Sequence, residues 1–222
     1  MKNEQYKTKN KSYFSNIRHE IVEVIGSRKN VDILEVGGGI GNTLLYLKKA
    51  GIASTIHLYD IVDIVEDKKE FDSIEIGDIE SKEFPKNKYD VIIFADVLEH
   101  IIDPYKVINK AKGALKKGGI IACSIPNIRH FSALYKIFII GSFKYKDSGL
   151  FDKTHLRFFC KSDMEALFDS ENDLTVESIT SCNKFRKSKA SLLDRVTFGV
   201  FTQFLSMQYI LVVKKEPFDV KQ

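Results

Sequence analysis

Val31-Asp32-Ile33-Leu34-Glu35-Val36-Gly37-Gly38-Gly39-Ile40-Gly41 is the stretch around which the rest of the chain is organised. Val31, Ile33, Leu34 and Val36 form a near-continuous apolar run, the pattern of a central parallel strand covered on both faces. A glycine-rich turn follows, and Leu44, Leu45 and Leu47 then take up helical spacing over Asn42 to Lys49. Glycine tolerates positive φ and carries no Cβ, so a ligand can lie directly against this backbone, beside the amides of the helix start.

Spacing narrows the choice of ligand. A dinucleotide fingerprint, G-x-G-x-x-G, needs its last glycine at Asn42 when counted from Gly37, or at Leu44 when counted from Gly39, and neither is a glycine. Glu35 adds a negative charge near the turn, a poor neighbour for a pyrophosphate but tolerable beside a cationic ligand. Thr55 to Tyr59 reads as a second strand that ends in Asp60 and Ile61, where a carboxylate offers paired acceptors to the hydroxyls of a ribose. A short strand then runs into Gly77-Asp78-Ile79. There the aspartate can accept from an adenine amine, the next backbone amide can serve a ring nitrogen, and the isoleucine offers an apolar face to the base. Tyr89 to Phe94 is a fourth strand, leading into Ala95-Asp96-Val97-Leu98-Glu99-His100-Ile101.

The pattern Glu35-x-Gly37-x-Gly39-x-Gly41 resembles motif I of the class I S-adenosylmethionine-dependent methyltransferases. Gly77-Asp78-Ile79 matches their adenine-binding segment, and Asp96 to Ile101 resembles the post-strand motif of members acting on quinones, sugars and other small acceptors. The resemblance implies an α/β fold: a Rossmann-like seven-stranded methyltransferase sheet with helices on both faces, its final strand antiparallel, and a lid insertion after the fifth strand. The implied cofactor is S-adenosylmethionine, leaving as S-adenosylhomocysteine. The residues implied to bind it are Tyr13, Arg18, Glu35, Gly37, Gly38, Gly39, Gly41, Asp60, Ile61, Gly77, Asp78, Ile79, Ala95, Asp96, Val97 and His100. Tyr13 and Arg18 belong to a helical period from Tyr13 to Ile25, which in the family closes over the cofactor, with Arg18 placed to meet a carboxylate. Asp96, Glu99 and His100 share one face if the segment is α-helical, which raises a metal site as a rival. The resemblance sets them beside the cofactor without one, and no metal is expected. Gly38 departs from relatives that often carry cysteine or another residue, and a third glycine is expected to loosen the loop.

Pro104 opens a helix through Val107, Ile108, Ala111 and Leu115, with Lys116-Lys117-Gly118-Gly119 expected to stop it before a fifth strand at Ile120 to Ile125. Residues 128–159 form the expected lid. Its phrases Ile125-Pro126-Asn127-Ile128-Arg129-His130 and Asp152-Lys153-Thr154-His155-Leu156-Arg157-Phe158-Phe159 resemble a bacterial branch often linked to cell-surface polysaccharide biosynthesis. In such a lid His130 and His155 are candidates for general base and acceptor ligand, Asp152 for orienting a histidine, and Arg129 or Arg157 for holding an anionic acceptor. Ser162 to Phe168 reads as a helix with Ser162 as N-cap, Leu174 to Ile179 as a sixth strand, and Gln208 to Val213 as the last. The apolar stretch 192–207 is a candidate homodimer contact.

At 222 residues and 44% hydrophobic, the chain suits a single domain over 13–215, with a frayed N-terminus at 1–12 and a tail at 216–222. A formal net charge of +4 without a long basic block gives no reason to expect nucleic acid. Three cysteines without C-x-x-C spacing indicate neither a disulfide framework nor a zinc site, which points to the cytoplasm. No apolar run is long enough to span a bilayer, and no transmembrane segment is expected. The leading expectation is O-methylation of a sugar, glycolipid precursor or related metabolite. The rivals are N- or C-methylation, and cofactor binding without catalysis.

Overall fold

The computed structural model describes residues 16–169, 173–184, 192, 196–197 and 199–216. Expectations for Tyr13, for the N-terminus and tail, and for much of 192–207 lie outside the described residues. Seven strands make one sheet in the order β3-β2-β1-β4-β5-β7-β6. They are β1 (Val31–Val36), β2 (Ala53–Asp60), β3 (Ser73–Ile76), β4 (Tyr89–Ala95), β5 (Leu115–Pro126), β6 (Leu174–Ser181) and β7 (Gln208–Lys215). β1 to β5 pair in parallel, while β7 runs antiparallel to both β5 and β6, so the expected architecture is present.

Alternation along the strands feeds two cores. Ile33, Val91 and Ile93 face α1 (His19–Ile25) and α2 (Asn42–Lys49), packing with Ile21, Ile25, Leu44 and Leu47. Leu34, Ile92 and Phe94 face the other way, in the core shared with Val107, Ile108 and Ala111 of α3 (Pro104–Ala114) and with Met164, Leu167 and Phe168 of α5 (Lys161–Asp169). Each such side chain contributes about 1.5–3 kcal/mol on burial. The chain runs outward from β1 through β2 to β3 and then returns to β4 on the other side of β1. That reversal opens a crevice at the carboxyl ends of the central strands, where open α/β sheets hold ligands.

Several boundaries differ from expectation. α1 begins at His19, residues 16–18 lie outside it, and Arg18 is its N-cap residue rather than part of a helix from Tyr13. α3 stops at Ala114 and β5 begins at Leu115, so Lys116 and Lys117 lie in a strand rather than closing a helix. Lys116 Nζ stands 2.7 Å from Asp32 Oδ2 and 2.8 Å from Asp90 Oδ2, stitching together β1, β4 and β5 at the end opposite the crevice. Its hydrogen bond is the largest cause holding the Asp32 carboxyl down at about 2. Gly118, at φ +71°, absorbs a register shift against β4 between Tyr89 and Val91. Likewise Ser162 is not the cap of α5, which already includes Lys161. Asp163 ties down that helix start by accepting from the Cys160 amide at 2.8 Å.

The insertion at 128–159 leaves β5 as α4 (Phe131–Leu134), continues through a π-helical turn at Tyr135–Ile139, and returns through a parallel bridge between Asn127 and Phe159. Asn127 Nδ2 donates to the carbonyls of Gln203 and Ser206, both at 2.8 Å. The root of the insertion is thereby fastened to α6 (Thr202–Leu205) and the approach to β7.

Candidate functional site

The carboxyl ends of β1 to β4 surround an open cleft of about 940 Å³. Gly37, Gly38, Gly39, Asp60, Ile61, Gly77, Asp78, Ile79, Ala95, Asp96 and Val97 line it, together with Arg18, Glu35 and His100. Asn16, Val36, Thr43, Tyr59 and Ile101 also line it and were missed from the sequence. Tyr59 and Thr43 flank the motif positions Asp60 and Gly41, so adjacency to a motif was the available signal. Gly41 is not part of the lining. It sits at φ +79° before α2, and a Cβ there would lie 2.5 Å from Cζ of Phe71, so its role is to let the helix start pack closely.

Within the turn, Gly37 and Gly39 have positive φ of 71° and 62°, which glycine adopts freely. Gly38 serves differently. A Cβ at Gly38 would stand 2.7 Å from Cδ and Oε2 of Glu35, so the missing side chain makes room for that carboxyl rather than loosening the loop. Glu35 is 1% exposed, and burial pushes its carboxyl up to about 7. Its Oε2 has no hydrogen-bond partner among the described residues. A buried carboxyl with an unsatisfied oxygen under the floor of a cleft fits a cationic ligand. Asp60, also buried, accepts from the Gly39 amide at 2.8 Å through Oδ2 and from the Val62 amide at 3.0 Å through Oδ1, so it locks the turn to the end of β2. Burial raises its pKa, and these amides pull it back down.

Arg18 lines the cleft, and its guanidinium pairs with a carboxylate of the chain itself, Nη1 lying 2.7 Å from Asp96 Oδ2. Asp96 has φ +58°, and its Oδ1 accepts from Ser124 Oγ at 2.9 Å and from Gln208 Nε2. Leu98–His100 is a 3-10 turn, so the α-helical face expected for Asp96, Glu99 and His100 does not form. A different set does. Glu99 Oε1 stands 4.0 Å from His100 Nε2 and 3.9 Å from His155 Nε2, and the two imidazole rings meet edge to face at 4.8 Å.

The insertion delivers His155 to this place. The Leu156 and Arg157 amides both donate to the Glu99 carbonyl, at 2.8 and 3.0 Å. A small hollow there is lined by Glu99, Leu150, His155, Arg157 and Phe158, among others. Asp152 Oδ1 accepts from the Thr154 amide at 2.9 Å and from Thr154 Oγ1 at 2.7 Å. The Thr154 carbonyl so fixed lies 2.9 Å from His100 Nδ1, so Asp152 bears on a histidine through Thr154. Arg157 donates to the Ile102 carbonyl. His130 lines neither the cleft nor the hollow. It caps α4, its Nδ1 2.8 Å from Ser132 Oγ, and burial lowers its pKa. The structure therefore groups His155, Asp152 and Arg157 around Glu99 and leaves His130 at a helix start.

A family model described as a methyltransferase domain matches residues 6–179. A ubiquinone biosynthesis O-methyltransferase of Hydrogenovibrio crunogenus is 30% identical over 134 residues, 55% of this chain and 54% of that protein. The chain thus spans about half the length of the curated relative it matches. The crystal structure of an S-adenosylmethionine-dependent methyltransferase from Mesorhizobium loti has a TM-score of 0.62 at 14% identity, covering 89% of this chain and 96% of that one. A cyclase, SpnF, has a TM-score of 0.61 at 15% identity, covering 90% of this chain and 79% of its own, so this fold is not confined to methyl transfer. By its sequence match over residues 6–179 the chain belongs to the methyltransferase-domain family, and its sheet is that of the class I S-adenosylmethionine-dependent methyltransferases.

Proposed function

We propose that this chain transfers a methyl group from S-adenosylmethionine to a hydroxyl of a small-molecule acceptor. The observation that carries the reading is the convergence, in one cleft, of the glycine turn over Glu35, of Asp60, and of Asp78 with Ile79. Asp60 keeps acceptor capacity for ribose hydroxyls beyond the Gly39 and Val62 amides. Asp78 and Ile79 serve the adenine, and Glu35 offsets the positive charge of the methionine end. When bound, the cofactor supplies an electrophilic methyl group on a good leaving group, so the protein's own task is chiefly to position the acceptor and exclude water. The acceptor belongs beside His100 and His155, where Glu99 and His155 bear on the hydroxyl proton and Arg157 on an anionic group. The 128–159 insertion acts as the lid.

A sugar or glycolipid precursor is the preferred acceptor. The O-methyltransferase relative supports oxygen as the accepting atom, and the support for a sugar is the resemblance of the two insertion phrases to the polysaccharide-linked branch. We also place the chain in the cytoplasm on its cysteine usage. A homodimer contact through 192–207 is proposed on the exposure of Val196, Val200 and Phe201.

Thermal unfolding with S-adenosylhomocysteine, and with NAD as control, tests the cofactor. Ligand at a hundredfold over its dissociation constant adds about 2.7 kcal/mol, which raises the midpoint of a chain this size by roughly 5–10 °C. The expected result is that rise for the homocysteine compound alone, and a smaller rise in Asp60→Asn measured against the variant's own unliganded midpoint. No rise in the wild type would overturn the reading and favour a chain that has kept the fold without the ligand.

A further inference from the structure

We propose that the 128–159 insertion carries a docking surface for an anionic lipid bilayer, built from the end of its helical run and the loop that follows. Phe138, Ile139 and Ile140 are consecutive and 76, 70 and 59% exposed. Tyr135, a helical turn earlier, and Tyr145, beyond the bend at Gly141, are about half exposed. An apolar run left in water on this scale marks a contact rather than a fold requirement. No helix among the described residues is long and apolar enough to cross a membrane, so the contact is with one face of the bilayer.

The charge around this run has one sign. Residues 128–159 hold six Lys and Arg against two Asp, so the insertion carries the whole formal +4 of the chain, and the remainder is balanced at 28 against 28. Lys153 pairs with Asp147 at 2.8 Å and Asp152 is buried, so both carboxylates of the insertion are taken and neither is left to Lys136, Lys144 and Lys146. Lys136 Nζ lies 4.9 Å from the centre of the Phe151 ring, on which Phe143 packs edge to face at 4.9 Å. Basic and apolar groups therefore share one surface. Lys146 crowds Lys136 there and is the largest cause lowering its pKa. Two ammonium groups held side by side lose that repulsion when an anion lies against both.

An anionic bilayer meets both halves of the surface. Its phosphates take the lysines, while Phe138, Ile139 and Ile140 enter the acyl boundary. Tyr135 and Tyr145 suit the level between, where a ring with a polar tip is favoured. A second copy of the chain fits worse. A two-fold interface sets a patch against itself, so Lys136, Lys144 and Lys146 would confront their own images. Side chains as exposed as Phe138 and Ile139 project outward, and a fluid surface receives them without a shaped pocket.

The insertion leaves and rejoins the sheet at the carboxyl end of β5, which runs parallel to β4, so its surface belongs to the edge on which the cleft opens. That placement suits an acceptor carrying a lipid tail. This consequence rests on the methyl-transfer reading, whereas the surface itself does not.

Co-sedimentation of the full chain with vesicles tests the surface, comparing equal parts phosphatidylglycerol and phosphatidylcholine with phosphatidylcholine alone. The expected result is binding about tenfold or more tighter to the anionic vesicles, weakened on raising salt from about 0.1 to about 0.5 M. Phe138→Ser with Ile139→Ser, and separately Lys136→Gln with Lys146→Gln, are each expected to weaken it by about tenfold or more. Both variants should keep the wild-type unfolding midpoint and its rise with S-adenosylhomocysteine. Vesicle binding without that rise in the wild type would sink the cofactor reading and support the surface. No binding to anionic vesicles, equal binding to both kinds, or binding unchanged in both variants overturns the surface whatever the cofactor result. A dimer in analytical ultracentrifugation that Phe138→Ser with Ile139→Ser dissociates, without vesicle binding, overturns it in favour of a second copy.

Discussion

Glu35, in β1, and Glu99, in the 3-10 turn that follows β4, are buried alike, each 1% exposed, yet they belong to differently built walls of the site. Desolvation is the largest cause raising the carboxyl of each. Around Glu35 the partners are local: Gly38 covers it from three residues away, the Leu44 amide donates to it from the following helix, and Arg18 lowers its pKa through space. Around Glu99 one histidine is its chain neighbour and the other arrives from the far end of the insertion. One buried carboxyl is thus made by a turn and the other by the docking of a distant segment. It follows that the cofactor wall should resist perturbation of the insertion, whereas the acceptor wall should depend on it.

Gly41→Ala attacks the local wall hardest. A non-glycine residue at φ +79° costs about 1–2 kcal/mol, and forcing its Cβ against the Phe71 ring costs a further 1–3 kcal/mol or so. We expect a stability loss of about 3 kcal/mol in urea unfolding, together with loss of the S-adenosylhomocysteine midpoint rise. A loss under about 1 kcal/mol would mean that α2 shifts easily, and the contrast between a rigid wall and a docked one would fail.

The next effect is electrostatic. Because burial pushes the folded Glu35 carboxyl up to about 7 from its ordinary 4.5, the unfolded chain gives up its proton first as pH rises. Glu35 therefore costs nothing below about pH 4.5, costs progressively more up to pH 7, and holds a constant penalty above that. The penalty is on the order of 3 kcal/mol at 1.36 kcal/mol per pKa unit. Glu35→Gln should flatten this limb of the pH–stability curve, raise stability above pH 7 by about 1–3 kcal/mol, and weaken S-adenosylhomocysteine. Parallel wild-type and variant curves across the window would show that Glu35 does not titrate as a buried acid.

How far the molecule could be read beforehand follows the same division. The sheet, its reversal and most of the cleft were legible, because each strand end carries its functional residues in the next few positions, as in Gly37–Gly39, Asp60–Ile61 and Gly77–Ile79. Lys116 was misread as a helix-ending cation because its partners, Asp32 and Asp90, come from two other strands. Asp96 was grouped with Glu99 and His100 on an assumed α-helical spacing, which its φ of +58° and the 3-10 turn after it do not allow. His155 was picked out by residue type, but nothing in its neighbourhood announced Glu99. Contact across the insertion is a property of packing, and no local period encodes it.

His130 gives the smallest effect and the sharpest separation of a fold role from a chemical one. Its Nδ1 accepts from the Ser132 amide at 3.4 Å and lies 2.8 Å from Ser132 Oγ, which places it as the cap of the insertion's first helix. Removing a cap costs about 1 kcal/mol, and a short polar side chain restores it. His130→Ala should therefore lose about that much, and His130→Asn should recover most of it. Acid adds a second signature. Burial lowers the folded pKa of His130, so protons favour the unfolded chain, and its contribution fades as pH drops below the ordinary 6.5, opposite in sign to Glu35. His130→Asn should remove that acid-side loss and leave S-adenosylhomocysteine affinity unchanged, since His130 does not line the cleft. A variant as stable as wild type but unable to methylate would return His130 to the acceptor, and would mean that the insertion closes further onto the cleft than it does here.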